Sequence, residues 1–370
     1  MTASGFLNLL RGKNVVFITV KDKDYIRTTQ IKRLLEKEAS SWRVYSSEKG
    51  NPITRALDLR RRIKKLDLLE ADVVILGFLP QLIIDAVKKR IAEANKSSSK
   101  IVEFAAGKRA ETSPILVSEM FLSMYDTVIS DRHIFRDGGW ISDWMKRLDK
   151  RAIEAADFVV TDTKANADYL SGLYGADRSK FETLYLEADK DIYGGVAGGN
   201  ENDKLMDSAD SDSNAIYKVL YFGTGLPLQG TDIVIEAFNQ VAGKKQIQCT
   251  YVGSTSKIPN SVLNEAVSNP DIRIAKWLSQ EELAREISEA TLCIAGHFNP
   301  NIGKADRTIP GKAYIYEAMG KPMILGDTRA NREIFTENSN HIFVERGNSR
   351  ALADAITTAI SIKGKRVLIG

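Results

Sequence analysis

Two kinds of hydrophobic text alternate along the chain. Residues 14–20 (NVVFITV) form a short, continuous apolar run rich in β-branched side chains, the pattern of a parallel strand buried on both faces. Ile31, Leu34 and Leu35 then recur at helical spacing, with Lys32, Arg33 and Lys37 on the other faces, which predicts an amphipathic helix. The alternation continues. Strands are predicted at 43–45, 72–76, 101–105, 127–130 and 158–161, and helices near 54–69, 80–94, 141–155 and 164–173.

The texture changes at 194–214 (GGVAGGNENDKLMDSADSDSN), which is glycine-rich, acidic and almost free of large apolar residues. Beyond it the alternation restarts, with strands predicted at 218–222, 248–252, 272–275, 292–295, 322–325 and 341–344 and a last helix over 349–362. Strands alternating with helices predict an α/β fold with parallel sheets covered by helices on both faces. The expected organisation is a first Rossmann-like domain over 1–195, a linker or exposed loop over 196–215 and a second Rossmann-like domain over 216–350. A closing helix over 351–370 is expected to pack back on the first domain. Two doubly wound domains facing a central cleft would bind ligands outside the carboxyl ends of their strands.

Composition narrows the classes. A length of 370 residues favours two domains, and 43% hydrophobic with 27% charged residues is ordinary globular content. The longest apolar run, 73–84, is about a dozen residues and contains Pro80 and Gln81, where a membrane span needs about 20. Residues 1–13 lack a charged start and a cleavage site, so no signal peptide is expected. Cys249 and Cys293 fall inside strand-like runs and read as buried free thiols of a cytoplasmic protein. The three histidines share no metal-ligand spacing, so no metal site is expected. Residues 1–100 hold 21 Lys/Arg against 11 Asp/Glu, although the whole chain is only +4. Within that basic stretch, 54–70 (TRALDLRRRIKKLDLLE) combines an apolar stripe of Leu59, Ile63 and Leu66 with a dense run of arginine and lysine. Two readings stand: a peripheral helix on an anionic membrane surface, and a sheet-covering helix with a basic outer face. The run lacks interleaved aromatics, which argues against nucleic acid.

The most informative text lies in the second half. Residues 218–238 (KVLYFGTGLPLQGTDIVIEAF) run from a strand through a glycine loop into a helix, an arrangement that turns backbone N–H groups and a helix N-terminus toward an anion. Residues 304–335 (KADRTIPGKAYIYEAMGKPMILGDTRANREIF) follow. Together they resemble the retaining family 4 glycosyltransferases, and more narrowly a bacterial and archaeal branch with an FGT-x-x-P-L-x-G loop and an R-x-I-P-x-K segment. Residues 123–132 (SMYDTVISDR) and 149–169 (DKRAIEAADFVVTDTKANADY) are similar to the wording of the same branch. The resemblance implies a GT-B fold and transfer of a hexose-type sugar from a nucleotide-diphosphate sugar, such as a UDP- or GDP-sugar, to a glycan or lipid-linked acceptor. It also implies retention at the anomeric carbon and no required cofactor or metal.

On that resemblance Arg307 and Lys312 are the expected cations for the leaving diphosphate, with loop contacts from Gly223, Thr224 and Gly225 and with Glu317 as the ribose candidate. Fixed cations and N–H dipoles stabilise charge on a departing phosphate oxygen as it forms. Asp131 and His133, after the strand expected at 127–130, are candidates for the reacting sugar or the acceptor hydroxyl. Arg27 is a candidate for a phosphate-bearing acceptor. Four positions depart from the broader family. Thr224 and Gln229 stand where an arginine and a lysine are usual. Arg307 and Ile315 stand where two glutamates eight positions apart are usual, and Glu317 is two residues from the second, about 200° round a helix. These departures support an alternative, a catalytically weakened GT-B subunit that binds nucleotide or glycan and supports a partner enzyme. An epimerase of the same fold is disfavoured, because its histidine and carboxylate set is not evident. The expected setting is cytoplasmic, peripheral at the inner face of the cell membrane.

Overall fold

The structure is a computed structural model that describes residues 4–68, 70–102, 113–194, 216–244 and 246–367. It divides into two compact units, 1–186 and 187–370.

In the first unit the parallel strands are β1 (Asn14–Thr19), β2 (Ser41–Tyr45), β3 (Val73–Gly77), β4 (Ile115–Glu119), β5 (Phe158–Thr161) and β6 (Phe181–Thr183), in the order β2-β1-β3-β4-β5-β6. Strand period explains the continuous apolar runs, because alternate residues enter different layers. Val16, Ile18, Val74, Leu76 and Leu116 join one core with Leu59, Ile63 and Val87 of the covering helices. Val15, Phe17, Val73, Ile75 and Val117 join a second with Phe6, Ile31 and Leu35.

In the second unit the strands are β7 (Tyr217–Gly223), β8 (Ile247–Gly253), β9 (Ile272–Ala275), β10 (Leu292–Gly296), β11 (Met323–Gly326) and β12 (His341–Val344), ordered β12-β11-β10-β7-β8-β9. This is the order of the dinucleotide-binding Rossmann sheet. The chain reverses direction of travel between β7 and β10, and the loops leaving those two strands diverge from a shared crevice. Val219, Tyr221, Ile247, Cys249, Leu292 and Ile294 pack one face against the helices Thr231–Val241 and Ser349–Val367.

All six strands expected in this unit are present within a residue or two, and both cysteines are free and buried. The first unit departs more. The strand expected at 127–130 is instead a π-helical turn, Asp126–Asp131. Residues 101 and 102 end the helix Ile84–Val102, and 103–105 lie outside the described residues. β4 and β6 occupy stretches with no expected strand. Basic residues 54–69 shrink to the helix Pro52–Ile63, capped by Asn51.

The segment expected as a linker, 196–215, lies outside the described residues. The division between units falls earlier than 195, because the short helix Lys190–Tyr193 packs on helices Gln280–Glu289 and Gly311–Ala318 of the second unit. The closing helix, expected to return to the first domain, buries Leu352, Ala353, Ile356 and Ile360 in the core of the second. Among the described residues no helix is long and apolar enough to cross a membrane.

Candidate active site

The crevice between β7 and β10 opens on the glycine loop. β7 ends at Gly223, and a 3-10 turn, Pro227–Gln229, leads to Gly230 and the helix Thr231–Val241. Gly230 has φ +62°, and a Cβ there would stand 2.8 Å from the Asn299 nitrogen, so the turn demands glycine on two counts. Strand ends β7 and β8 approach so closely that a Cβ on Gly253 would lie 1.9 Å from the Gly223 carbonyl oxygen.

Gln229 braces the loop from within. Its Oε1 accepts the Gly225 N–H at 3.0 Å and its Nε2 donates to the Thr224 hydroxyl at 3.5 Å. The position that is usually lysine in broader relatives thus holds a neutral strut, and one loop N–H is satisfied by the protein itself. Gly223 and Thr224 stand at the tip of the strand, half-buried and exposed.

Beneath this loop lies a buried polar pile. The Tyr221 ring stacks on Tyr251 with centroids 5.5 Å apart, and the Lys312 Nζ lies 4.2 Å from the Tyr221 centroid on helix Gly311–Ala318. Nζ is buried with no hydrogen-bond partner among the described residues. Burial lowers its pKa to about 7. An ammonium there is poorly paid for by a single ring, and an anion would supply the missing partner. Tyr221 Oη likewise lacks a partner and would be 2.9 Å from a Cβ on Gly223, which places it just under the loop.

The connection from β10 to β11 supplies more charge. His297, one residue past β10, is buried, and its pKa is held well below the ordinary value, first by burial and then by Lys312, Lys304 and Arg346. Those three cations act together on one imidazole, which remains neutral at pH 7. Arg307 closes the short helix Gly303–Arg307 and is buried. A Cβ on Gly303 would be 3.0 Å from its Nη1, so that glycine makes room for the guanidinium. Asp306 pairs with Arg329 at 2.6 Å and with Arg346 at 3.8 Å, holding both near this edge of the sheet.

Gly223, Thr224, Gly225 and Lys312 are therefore brought to one end of one sheet, with Arg307 on the same connection. Glu317 is not. It is exposed and bonds His341 Nε2 at 2.7 Å at the first residue of β12, toward the amino ends of the strands. Lys312, Ala313 and Tyr316 point inward from that helix, and the fifth residue after Lys312 faces about 140° away. Ile315 is half-buried.

Asp131 and His133 belong to the first unit. Asp131 is buried at the end of the π-helical turn, while His133 is exposed with φ +50°. With Ile129, Ser130, Ile134, Phe135, Arg136 and Asp137, His133 lines an open cavity of about 470 Å³. The turn exists because Asp149 captures its start. The buried Asp149 carboxylate accepts from Ser123 Oγ, the Met124 and Tyr125 N–H groups, Gln81 Nε2 and Tyr174 Oη. Burial raises its pKa against those bonds. Arg27 is buried; it pairs with Glu119 at 3.3 Å, donates through Nη1 to Gln30 and covers Phe121, while its Nε and Nη2 have no hydrogen-bond partner among the described residues.

His297, Tyr221, Arg346 and the bracing role of Gln229 were not picked out by sequence reasoning. His297 had a signal, since it directly follows a strand expected to end at 295, where ligands gather in such sheets. The other three depend on packing.

A model of the family Glycosyl transferases group 1 matches residues 217–361. Among solved structures, HepE of Anabaena in complex with UDP superposes with a TM-score of 0.57 at 14% identity, over 96% of this chain and 92% of that one. Sucrose-phosphate synthase of Thermosynechococcus elongatus gives 0.60 at 12% identity, over 96% and 94%. The fold is GT-B. A D-inositol 3-phosphate glycosyltransferase of Nocardioides sp. is 23% identical over 230 residues, 57% of this chain and 48% of that protein. The chain thus spans about half the length of that curated relative. In this GT-B chain the family match begins at the first residue of β7 and ends in the closing helix, so it coincides with the Rossmann-ordered unit that carries the glycine loop, Arg307 and Lys312.

Proposed function

We propose that the protein is a glycosyltransferase that moves a hexose-type sugar from a nucleotide-diphosphate sugar to a glycan or lipid-linked acceptor, with retention and without a metal. The observation that carries this reading is the buried, partnerless Lys312 amine under the glycine loop. Lys312 and Arg307 take the diphosphate, Gly223 and Thr224 approach it with backbone and hydroxyl groups, and Gly225, its N–H held by Gln229, lets the loop come close. The bond from the anomeric carbon to the phosphate oxygen breaks as a bond to the acceptor oxygen forms on the same face. The acceptor's proton passes to the departing phosphate oxygen, whose charge the two cations stabilise. Asp131 and His133 orient the acceptor beside the cavity of the first unit. A UDP-sugar donor is supported by HepE, whose structures hold UDP and UDP-glucose. Arg27, buried beside Glu119 with Nε and Nη2 lacking hydrogen-bond partners among the described residues, stays the candidate for a phosphate-bearing acceptor. The setting is the cytoplasmic face of a membrane.

The test is thermal shift and sugar release with UDP-glucose and GDP-mannose, with and without chelator. A donor should raise the melting temperature, and Lys312→Ala and Arg307→Ala should each diminish the rise. No stabilisation by any nucleotide or nucleotide-sugar would sink the reading. The second reading, a weakened subunit that supports a partner, is favoured by two observations: Glu317 is held by His341, and Gln229 already occupies the Gly225 N–H. Binding of donor with no turnover would decide for it.

A further inference from the structure

Large apolar side chains are exposed together at one place in the first unit. Ile134, Phe135, Trp140 and Trp144 are 55%, 43%, 77% and 44% exposed, within eleven residues of chain. Three arginines, Arg132, Arg136 and Arg147, are exposed among them, and none makes an ion pair among the described residues. The face is rigid. Asp137 accepts from Ser142 Oγ at 2.7 Å and from Lys146 and Tyr125, tying the loop to the first two turns of helix Trp140–Ala155. Trp140, Trp144 and Arg147 follow at helical spacing on one side, while Met145, Leu148, Ala152 and Ile153 are buried on the other.

We propose that this loop and helix face is a docking surface for an anionic lipid bilayer. Tryptophan settles at the boundary between hydrocarbon and headgroups, and arginine meets anionic headgroups. Tryptophan and arginine are also enriched in protein interfaces, but here Arg132, Arg136 and Arg147 outnumber the exposed Asp137 and Asp143, which leaves the face net positive, as an anionic surface requires. The basic helix Pro52–Ile63 fits the role less well. Leu59 and Ile63 are spent on the core, Arg60 donates to the Leu82 carbonyl and Arg62 to the Ser46 carbonyl. Its exposed Ile53 and Leu57 beside Arg61 make it the natural comparison. The cavity lined by His133, Ile134, Phe135 and Arg136 opens on the same loop, so docking would bring its mouth to the headgroup layer. This inference extends the membrane setting proposed above. Its test uses no donor, so the two can fail separately.

Full-length protein is sedimented with phosphatidylglycerol–phosphatidylcholine vesicles and with pure phosphatidylcholine vesicles. Retention on the anionic vesicles is expected, weakening with added salt and accompanied by a blue shift in tryptophan emission. Trp140→Ser/Trp144→Ser should weaken partitioning tenfold or more with a melting temperature that keeps the fold intact at the assay temperature, since Trp140 is largely exposed and Trp144 partly so. Arg132→Gln/Arg136→Gln/Arg147→Gln should lose the preference for anionic lipid. Arg61→Gln/Lys64→Gln should bind as the parent does. The proposal is overturned if the parent stays in the supernatant or the tryptophan variant binds equally well. It is also overturned if only the Arg61/Lys64 variant loses binding, or if the tryptophan variant instead abolishes a concentration-dependent dimer.

Discussion

The amine of Lys312 loses its proton near pH 7 because burial penalises the ammonium, whereas in an unfolded chain a lysine holds its proton to about pH 10.4. Between those values the unfolded state binds a proton that the folded state refuses. Stability therefore falls as pH drops from about 10 to 7, at up to about 1.4 kcal/mol per unit, and levels off below. Lys312→Met is expected to be more stable than the parent at pH 7 and to flatten this slope, as read by urea denaturation at pH 7, 8 and 9. An identical slope in the variant would mean that the amine does not titrate there. Ligand binding follows from the same group. A diphosphate gives the ammonium its missing partner, so UDP-glucose should bind more tightly at pH 7 than at pH 9 with proton uptake, seen by calorimetry in buffers of different ionisation enthalpy. Lys312→Met should remove that pH dependence. The position of Lys312 was legible in the sequence because a Pro-Gly-Lys opening of a helix is local text. That its amine would rest on Tyr221, near a neutral His297, was not, since those two residues come from the ends of two other elements, β7 and β10.

At the scale of elements, the glycine loop and the π-helical turn illustrate opposite relations between local pattern and outcome. The loop follows from its own residues: a buried strand, glycines where φ is positive and a helix beyond. Gly230→Ala is expected to cost at least about 1 kcal/mol for the left-handed conformation alone, and to weaken UDP-glucose binding because the clash with Asn299 shifts the whole loop. Equilibrium unfolding and calorimetry would measure the two effects. The turn Asp126–Asp131 does not follow from its residues. Thr127, Val128 and Ile129 have strand propensity, which is why a strand is expected there. The hydrogen bonds to Asp149 come from a helix about 20 residues later and override it. Asp149→Ala should therefore cost about 3 kcal/mol and disorder the loop with His133, while donor binding to the second unit persists. Loss of donor affinity equal to the loss of stability would contradict that separation.

Across the whole molecule, each unit closes its own sheet over its own core. Two unfolding transitions are expected. Leu76→Ala should lower one and Ile294→Ala the other, by about 3 kcal/mol each, and UDP-glucose should raise only the transition that Ile294→Ala lowers; differential scanning calorimetry would show it. The α/β class and the two-fold repetition of sheets were readable from strand–helix alternation. The boundary was not, because the compositional break at 194 comes after the chain has already begun to pack on the second unit through Tyr193. The basic helix near residue 60 left two readings open for a related reason: charge counted along the chain does not reveal which arginines fold back to carbonyl oxygens.

The stack of Lys312 on Tyr221 on Tyr251 has a practical corollary. A positive charge 4.2 Å above a phenol ring alters its ultraviolet absorption, so the molecule carries a chromophore of its own beside the amine. Occupancy of the nucleotide site could then be followed without dye or label, as a difference spectrum near the tyrosine band that vanishes in Tyr221→Phe.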